Sequence, residues 1–335
     1  ITPLQTGWRF YRGAYPVPPG AETQTVDLPH TWNAVDGQDG GGDYFRGECC
    51  YVKTIRLQKK ENTLYYLAFY GANSVCTLYV NGVSVGVHRG GYTLFRMNIT
   101  HALVSGENEI VAAVSNAPFP DVIPLTADFT FFGGIYREVF LAEVSGTHFS
   151  LEEFGSDGVL VTYSNTPQIA KSAQVTVRAA IKGAGIGCRL RVSISQADTF
   201  VPCVGIDQPD FELEQLTDPA QQTVAEAETE ITSAQMALTL CVASPHLWNG
   251  RKAPFRYKVR CEILQNGSVC DCVEKYIGFR YFRIDPKKGF FLNGRRYPLR
   301  GVNRHQDRGN MGWAITNREH EEDFALIYEM GANAV

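Results

Sequence analysis

The chain is 335 residues long, 44% apolar and 20% charged, with 35 acidic against 31 basic residues and a formal net charge of -4. That length exceeds what one hydrophobic core usually covers, so two or three domains are expected, and the composition excludes disordered and fibrous classes. The slightly acidic balance offers no attraction to phosphate backbones or anionic lipid, and no apolar run reaches the ~20 residues of a membrane span, which removes nucleic acid and the bilayer as partners.

The N-terminus, ITPLQTGW, has neither a basic nor an apolar leader region. The expected compartment is the cytoplasm, with a removed leader leaving it open. From there to about residue 146 the chain alternates short apolar strands with turn clusters. In CTLYVNGVSVGV, Leu78 and Val80 alternate before Asn81-Gly82, and Val83, Val85 and Val87 alternate after it. An Asn-Gly pair between alternating runs predicts a hairpin, because both positions of a type I′ turn need positive φ. YVKTIRL, LYYLAFY and NEIVAAV predict further strands. Many short strands without a helical period predict an antiparallel jelly roll over 1–146.

A plainer set of strands follows over 147–277: VTVRAAI, RLRVSIS, ALTLCV and RYKVRCEIL, with QNGS at 265–268 marking another hairpin. Their spacing suits an immunoglobulin-like β-sandwich. The acidic stretch 214–230 has too few apolar positions for a helix and reads as a solvated loop or edge strand. From 278 the period changes. Thr316 followed by Glu319 forms a capping box, Phe324, Ile327 and Tyr328 make one apolar stripe, and Gly331 is a natural stop. With YPLRGVN before it and ANAV after it, this helix predicts a β-α-β unit over 278–335, cut short in its second strand. The exposed stripe is expected to pack on the immunoglobulin-like domain or a neighbouring chain, or else to be poorly ordered.

Nine cysteines, including Cys49 with Cys50 and Cys270 with Cys272, have no regular spacing and read as buried free thiols rather than a disulfide or zinc framework. The GGG at 40–42 lacks the Lys-Ser/Thr context of a phosphate loop. His30 and His88 read as packing histidines.

In order and spacing, LPHTWN (28–33), DYFRGECCYVK (43–53), YVNGVSVGVHRGGYTLFRMNIT (79–100), DFTFFGGIYREV (128–139), SPHLWN (244–249) and GFRYFRIDPKKGFFLNGRRYPLRGVNRHQDRG (278–309) resemble glycoside hydrolase family 2, its bacterial β-galactosidases in particular. The resemblance covers essentially the whole chain. It implies a mainly β fold: a sugar-binding jelly roll, an immunoglobulin-like sandwich and the truncated start of a catalytic TIM barrel. A complete barrel takes ~250 residues, so the chain is expected to be the N-terminal portion of a larger, retaining β-galactosidase. Both catalytic glutamates and the Mg2+ ligands of the family are expected beyond Val335, which leaves no catalytic residue in this chain and no turnover by it alone.

The resemblance also implies roles for a few side chains. His305 sits where the family's first barrel strand delivers a histidine to the sugar, with Asn303 and Arg304 beside it as weaker candidates or mere braces of the strand. Asp128 matches an aspartate that reaches the sugar from the jelly roll and helps to bind Na+. By itself Asp128 reads as a turn residue, and Phe131 and Phe132 stand where some relatives carry polar groups. Trp32, Tyr44, Phe45, Tyr92, Phe129 and Trp313 lie in or near the matched loops, as core or as sugar-stacking platforms. The expected partner is a β-galactoside, and the whole protein is expected to be homo-oligomeric. The alternatives are a β-glucuronidase or β-mannosidase of the same family, or a non-catalytic carbohydrate-binding module. The Arg in GVNRH favours the galactosidase branch over glucuronidases, which read Asn-Lys-His or similar there and need a further basic pair for the substrate carboxylate.

Overall fold

A computed structural model describes residues 1–36, 43–197 and 222–335. Their contacts form two compact units, Ile1–Ser145 with His305–Glu322, and Gly146–Arg304 with Asp323–Val335.

The first unit is built from β1 (Thr2–Pro3), β2 (Trp8–Tyr11), β3 (Gln24–Val26), β4 (Glu48–Leu57), β5 (Thr63–Phe69), β6 (Val75–Val80), β7 (Val83–Arg89), β8 (Phe95–Asn98), β9 (Gly106–Ser115) and β10 (Val139–Ser145). They pair antiparallel in a six-stranded sheet, ordered β3-β2-β4-β9-β6-β7, and a four-stranded sheet, ordered β1-β10-β5-β8. Period-2 alternation turns Tyr51, Leu78, Val80, Ile110 and Val114 of one sheet toward Tyr65, Leu67, Phe69 and Val139 of the other, and these side chains form one buried core. Burying each such side chain contributes about 1.5–3 kcal/mol. The expected jelly roll is thus present. Its Asn81-Gly82 turn has φ of 52° and 78°, as the I′ hairpin requires.

The loops at one end of this sandwich are irregular, so their backbone groups need side-chain partners. Two fully buried amides supply them. Asn33 accepts from the Gly133 N–H at 2.7 Å and from Asn116 Nδ2 at 3.0 Å, and it donates to Phe45 O at 2.9 Å. Asn116 accepts from the Gly47 N–H at 2.9 Å and donates to Phe131 O at 2.9 Å. Three loops separated by up to a hundred residues are tied at this node.

Nearby, His30 Nδ1 lies 2.8 Å from the Tyr51 hydroxyl, with its ring against Phe10. His88 stacks on Phe95 at 4.0 Å. Both histidines are packing groups of this unit.

The second unit contains β11 (His148–Phe149), β12 (Val159–Tyr163), β13 (Ser172–Lys182), β14 (Arg189–Gln196), β15 (Thr223–Glu230), β16 (Gln235–Ala243), β17 (Tyr257–Gln265) and β18 (Ser268–Ile277). One sheet holds β11, β12 and β16 around β13, and the other runs β15-β14-β17-β18. Val175, Val177, Leu190, Val192, Val259 and Phe279 belong to the core of this immunoglobulin-like sandwich. The acidic stretch emerges as the edge strand β15 from residue 223; its part before 222 and the GGG at 40–42 lie outside the described residues. The QNGS turn has φ of 52° at Asn266 and 79° at Gly267.

A three-stranded sheet, β19 (Phe282–Asp285), β20 (Gly289–Leu292) and β21 (Arg295–Arg296), precedes the β-α-β segment. The helix α1 (Asn317–Glu329) begins as expected, with Glu319 accepting from both the N–H and the hydroxyl of Thr316 at 2.7 and 2.5 Å. It ends in a Schellman motif: Ala332 N–H donates to Ile327 O, Gly331 N–H donates to Tyr328 O, and Gly331 has φ of 89°. Across the helix, Gly301 pairs parallel with Ala334. The apolar stripe is covered by cations rather than by a core. Arg251 lies 3.7 Å above the Tyr328 ring and Arg304 lies 5.5 Å from the centre of Phe324, which stays 48% exposed.

All eight described cysteines are free, and five of them are buried. Burial pushes the thiols of Cys49, Cys50, Cys76 and Cys261 up to about 12, which keeps them protonated and inert.

Burial also lowers the His30 imidazole from 6.5 to about 4. As pH falls from 6.5 to 4, the unfolded chain takes up a proton there that the folded chain refuses. Stability is therefore lost through that window, by about 3 kcal/mol in all. The urea midpoints of the wild-type protein and of His30→Gln should converge as pH drops from about 7 to about 4; a gap that stays constant would exclude His30 as the source.

Candidate functional site

The segment 128–139 leads into β10, and its irregular part is fixed on all sides. Phe131 N–H donates to the Tyr44 hydroxyl at 3.2 Å, Phe132 O accepts from Asn73 Nδ2 at 2.8 Å, and Gly133 O accepts from the Thr31 hydroxyl at 2.6 Å. Tyr136 donates its hydroxyl to Gly91 O at 2.5 Å. Gly133 passes so close to Trp32 that a Cβ would stand 2.0 Å from the indole, so only glycine fits. The constraint ends at Phe129, and Asp128 beyond it is exposed to solvent.

Against this segment lies His305–Ile315 of the same unit. Trp313, 9% exposed, sits among Phe132, Tyr136, Tyr92 and Phe129, with ring centres 5.3 to 6.2 Å away. These tilted rings bury a large apolar surface and add edge-to-face attraction. Gly312 makes the approach possible: its φ is 54°, and a Cβ would fall 2.5 Å from the Phe132 ring. At the near end, Arg137 donates to Gln306 Oε1 at 3.1 Å. Arg308 bonds Glu322 at 2.6 Å and the carbonyl of Glu319 at 3.0 Å, which ties the segment to the first turn of α1.

The consequence concerns the expected sugar-binding residues. His305 is held with its ring edge toward Phe129 at 6.4 Å, so it meets the neighbour of Asp128. Both side chains are exposed, and neither makes a side-chain hydrogen bond among the described residues. Asn303 is also exposed but counts with the second unit, where Val302 N–H donates to Ala334 O at 3.1 Å. Arg304 has its guanidinium on Asp323, at 2.5 and 2.9 Å, and is a brace.

Of the aromatic candidates, Trp32 and Phe45 pack on the jelly-roll core, Tyr44 caps the Phe131 N–H, and Trp313 is covered by four rings. Tyr92, 45% exposed, and Phe129 keep open surface. A carboxylate that accepts from hydroxyls, an imidazole that donates or accepts, and flat rings that meet C–H faces are the groups a sugar requires. Among the described residues no three His, Cys, Asp or Glu side chains converge. Arg137 and Gly312 position this site but went unmarked in the sequence, since their partners lie about 170 residues away.

Two β-sandwiches lead into a parallel β-α-β segment. Residues 21–145 match the family model of the glycosyl hydrolases family 2 sugar binding domain, 159–280 match that of glycosyl hydrolases family 2, and 283–335 match that of the family 2 TIM barrel domain. The chain is 37% identical over 335 residues to a β-glucuronidase of Bacteroides fragilis, covering 99% of this chain and 45% of that protein. It is 28% identical over 346 residues to the β-galactosidase BoGH2A of Bacteroides ovatus, covering 98% and 37%. The crystal structure of an FMN-binding β-glucuronidase from Facaelibacterium prausnitzii L2-6 superposes with a TM-score of 0.84 at 32% identity, over 99% of this chain and 47% of that one. The chain belongs to glycoside hydrolase family 2. It spans less than half the length of these relatives.

If Trp313 anchors the segment, Trp313→Ala should lower the stability of the first unit by about 3–5 kcal/mol, the usual cost of deleting a buried aromatic. Hydrogen exchange at 305–316 should then rise while exchange in β4 and β9 stays slow. Unchanged protection at 305–316 would show that the turn and ion pairs suffice.

Proposed function

We propose that this chain is the sugar-binding, spacer and barrel-entry part of a retaining exo-glycosidase acting on terminal β-D-glucuronides, dividing at 146/147 and 277/278. The observation that carries the glycone is the 37% identity to a β-glucuronidase over 99% of the chain. In such an enzyme one carboxylate attacks the anomeric carbon while a second protonates the leaving oxygen and later activates water. No residue of this chain is assigned to either role. Asp128, His305 and Asn303 contribute hydrogen bonds to the sugar at the mouth of the barrel, where barrel sites gather at the ends of strands. Such bonds raise the rate to the extent that they strengthen as charge develops on the ring.

A β-galactosidase is the second reading, favoured by the likeness to BoGH2A and by the Arg of GVNRH. The second of these grounds is weak. Arg304 is committed to Asp323, so its identity answers first to the fastening of α1.

The complete gene product should cleave 4-nitrophenyl β-D-glucuronide with kcat/KM at least about a hundredfold above the galactoside and mannoside, since a site built for a carboxylate is left unpaired by a neutral glycone. A preference for galactoside would overturn the glycone, and a folded protein that cleaves none of the three would overturn the enzyme reading. His305→Ala and Asp128→Ala should each reduce kcat/KM by about ten- to a thousandfold at unchanged thermal stability. Arg304→Lys should leave the ratio of glucuronide to galactoside turnover unaltered; a shift in that ratio would return Arg304 to the sugar site.

A further inference from the structure

The irregular segment before β10 is fixed at Phe131 by a closed circuit of three residues, all within the jelly roll. Arg46 donates its Nε–H to Asn116 O at 2.9 Å, Asn116 Nδ2 donates to Phe131 O at 2.9 Å, and the Arg46 guanidinium carbon lies 4.9 Å from the centre of the Phe131 ring. The same cation stands 5.9 Å from the ring of Tyr44, whose hydroxyl accepts from the Phe131 N–H at 3.2 Å. Phe131 is thus held by its N–H, its carbonyl and its ring at once, and it is buried.

Arginine suits this place for a chemical reason. The face of a planar guanidinium is attracted to an aromatic ring, while the Nε–H at its edge still donates in the plane. A lysine carries one ammonium at the end of its stem, which can meet the carbonyl or the ring but does not reproduce both contacts. Each contact is made within the structure, and none depends on a side chain being open to solvent.

Phe131 passes the constraint outward. Its ring meets that of Phe129 at 5.4 Å and 45°, and Phe129 both adjoins Asp128 in the chain and faces His305. We propose that Arg46 is a positioning residue for Asp128: by clamping Phe131 it fixes the ring of Phe129, and so the backbone from which the Asp128 carboxylate reaches the sugar. That Asp128 meets a sugar rests on the glycosidase reading; that Arg46 holds the segment ending at Phe129 rests on the jelly roll alone.

The test uses the complete gene product with Arg46→Lys, read by hydrogen exchange and by aryl glycoside hydrolysis. Exchange at the Phe131 amide should rise by at least about tenfold while β4 and β9 stay slow. kcat/KM should fall by about tenfold, with the thermal midpoint within about 2 °C of wild type. In an Asp128→Ala background the same change should cost less than about twofold, because the group it positions is already gone. Phe131→Leu, which keeps an apolar side chain but removes the ring, should reproduce this pattern. Arg12→Lys, a change to the cation 4.5 Å from the neighbouring Phe45 ring, should alter neither reading. Unchanged exchange at Phe131, full activity of Arg46→Lys, or a loss of the same size with and without Asp128 would each overturn the proposal. A wild-type protein that hydrolyses no aryl glycoside would sink the enzyme reading instead, and exchange at Phe131 would still decide whether Arg46 holds the segment.

Discussion

The irregular loops at one end of the jelly roll have no strand or helix to satisfy their backbone, and much of their length is buried. Asn33 and Asn116 resolve that conflict by acting as surrogate ladder partners for Gly47, Phe45, Phe131 and Gly133. An unpaired amide or carbonyl in such a place costs about 1–3 kcal/mol, so one amide side chain spanning three loops secures several such groups at once. Everything nearer the solvent inherits its position from this node: Phe132 and Tyr136 receive Trp313, Trp313 holds the segment that begins at His305, and Phe129 stands between His305 and Asp128.

Much of this fold was legible because its determinants are local. The turns at Asn81-Gly82 and Asn266-Gly267, the capping box at Thr316 and the stop at Gly331 each depend on a few adjacent residues, and each is found where the sequence places it. The Asn293-Gly294 turn was equally readable, with φ of 49° and 80°, yet it lies inside a run read as one entry into a barrel and so passed unremarked. Determinants distant in sequence were not legible. Nothing near Arg137 announces Gln306, and Trp313 by itself reads as well as a sugar platform as it does as the buried hub of four rings.

Arg304 illustrates how a motif residue can serve packing. Read in the string GVNRH, it separated galactosidase from glucuronidase. In the structure its side chain is 11% exposed, with the guanidinium bonded to Asp323 and Phe324 lying along it. A residue bound to its own helix reports how that helix is fastened.

The Asn-Gly pairs have one more implication, for how the protein ages. Asn followed by Gly is the pair most prone to close into a succinimide, because the glycine N–H is unhindered, and the product replaces an amide with a carboxylate. Asn81 resists this, its side chain held by Ala102, Asn108 and Glu109, and Asn249 and Asn293 hold each other. Asn266, at the tip of the β17–β18 hairpin, has no such hold among the described residues. Chemical wear on this chain would therefore begin there, placing a new negative charge at one corner of the immunoglobulin-like sandwich while the turns at Asn81, Asn249 and Asn293 keep their amides.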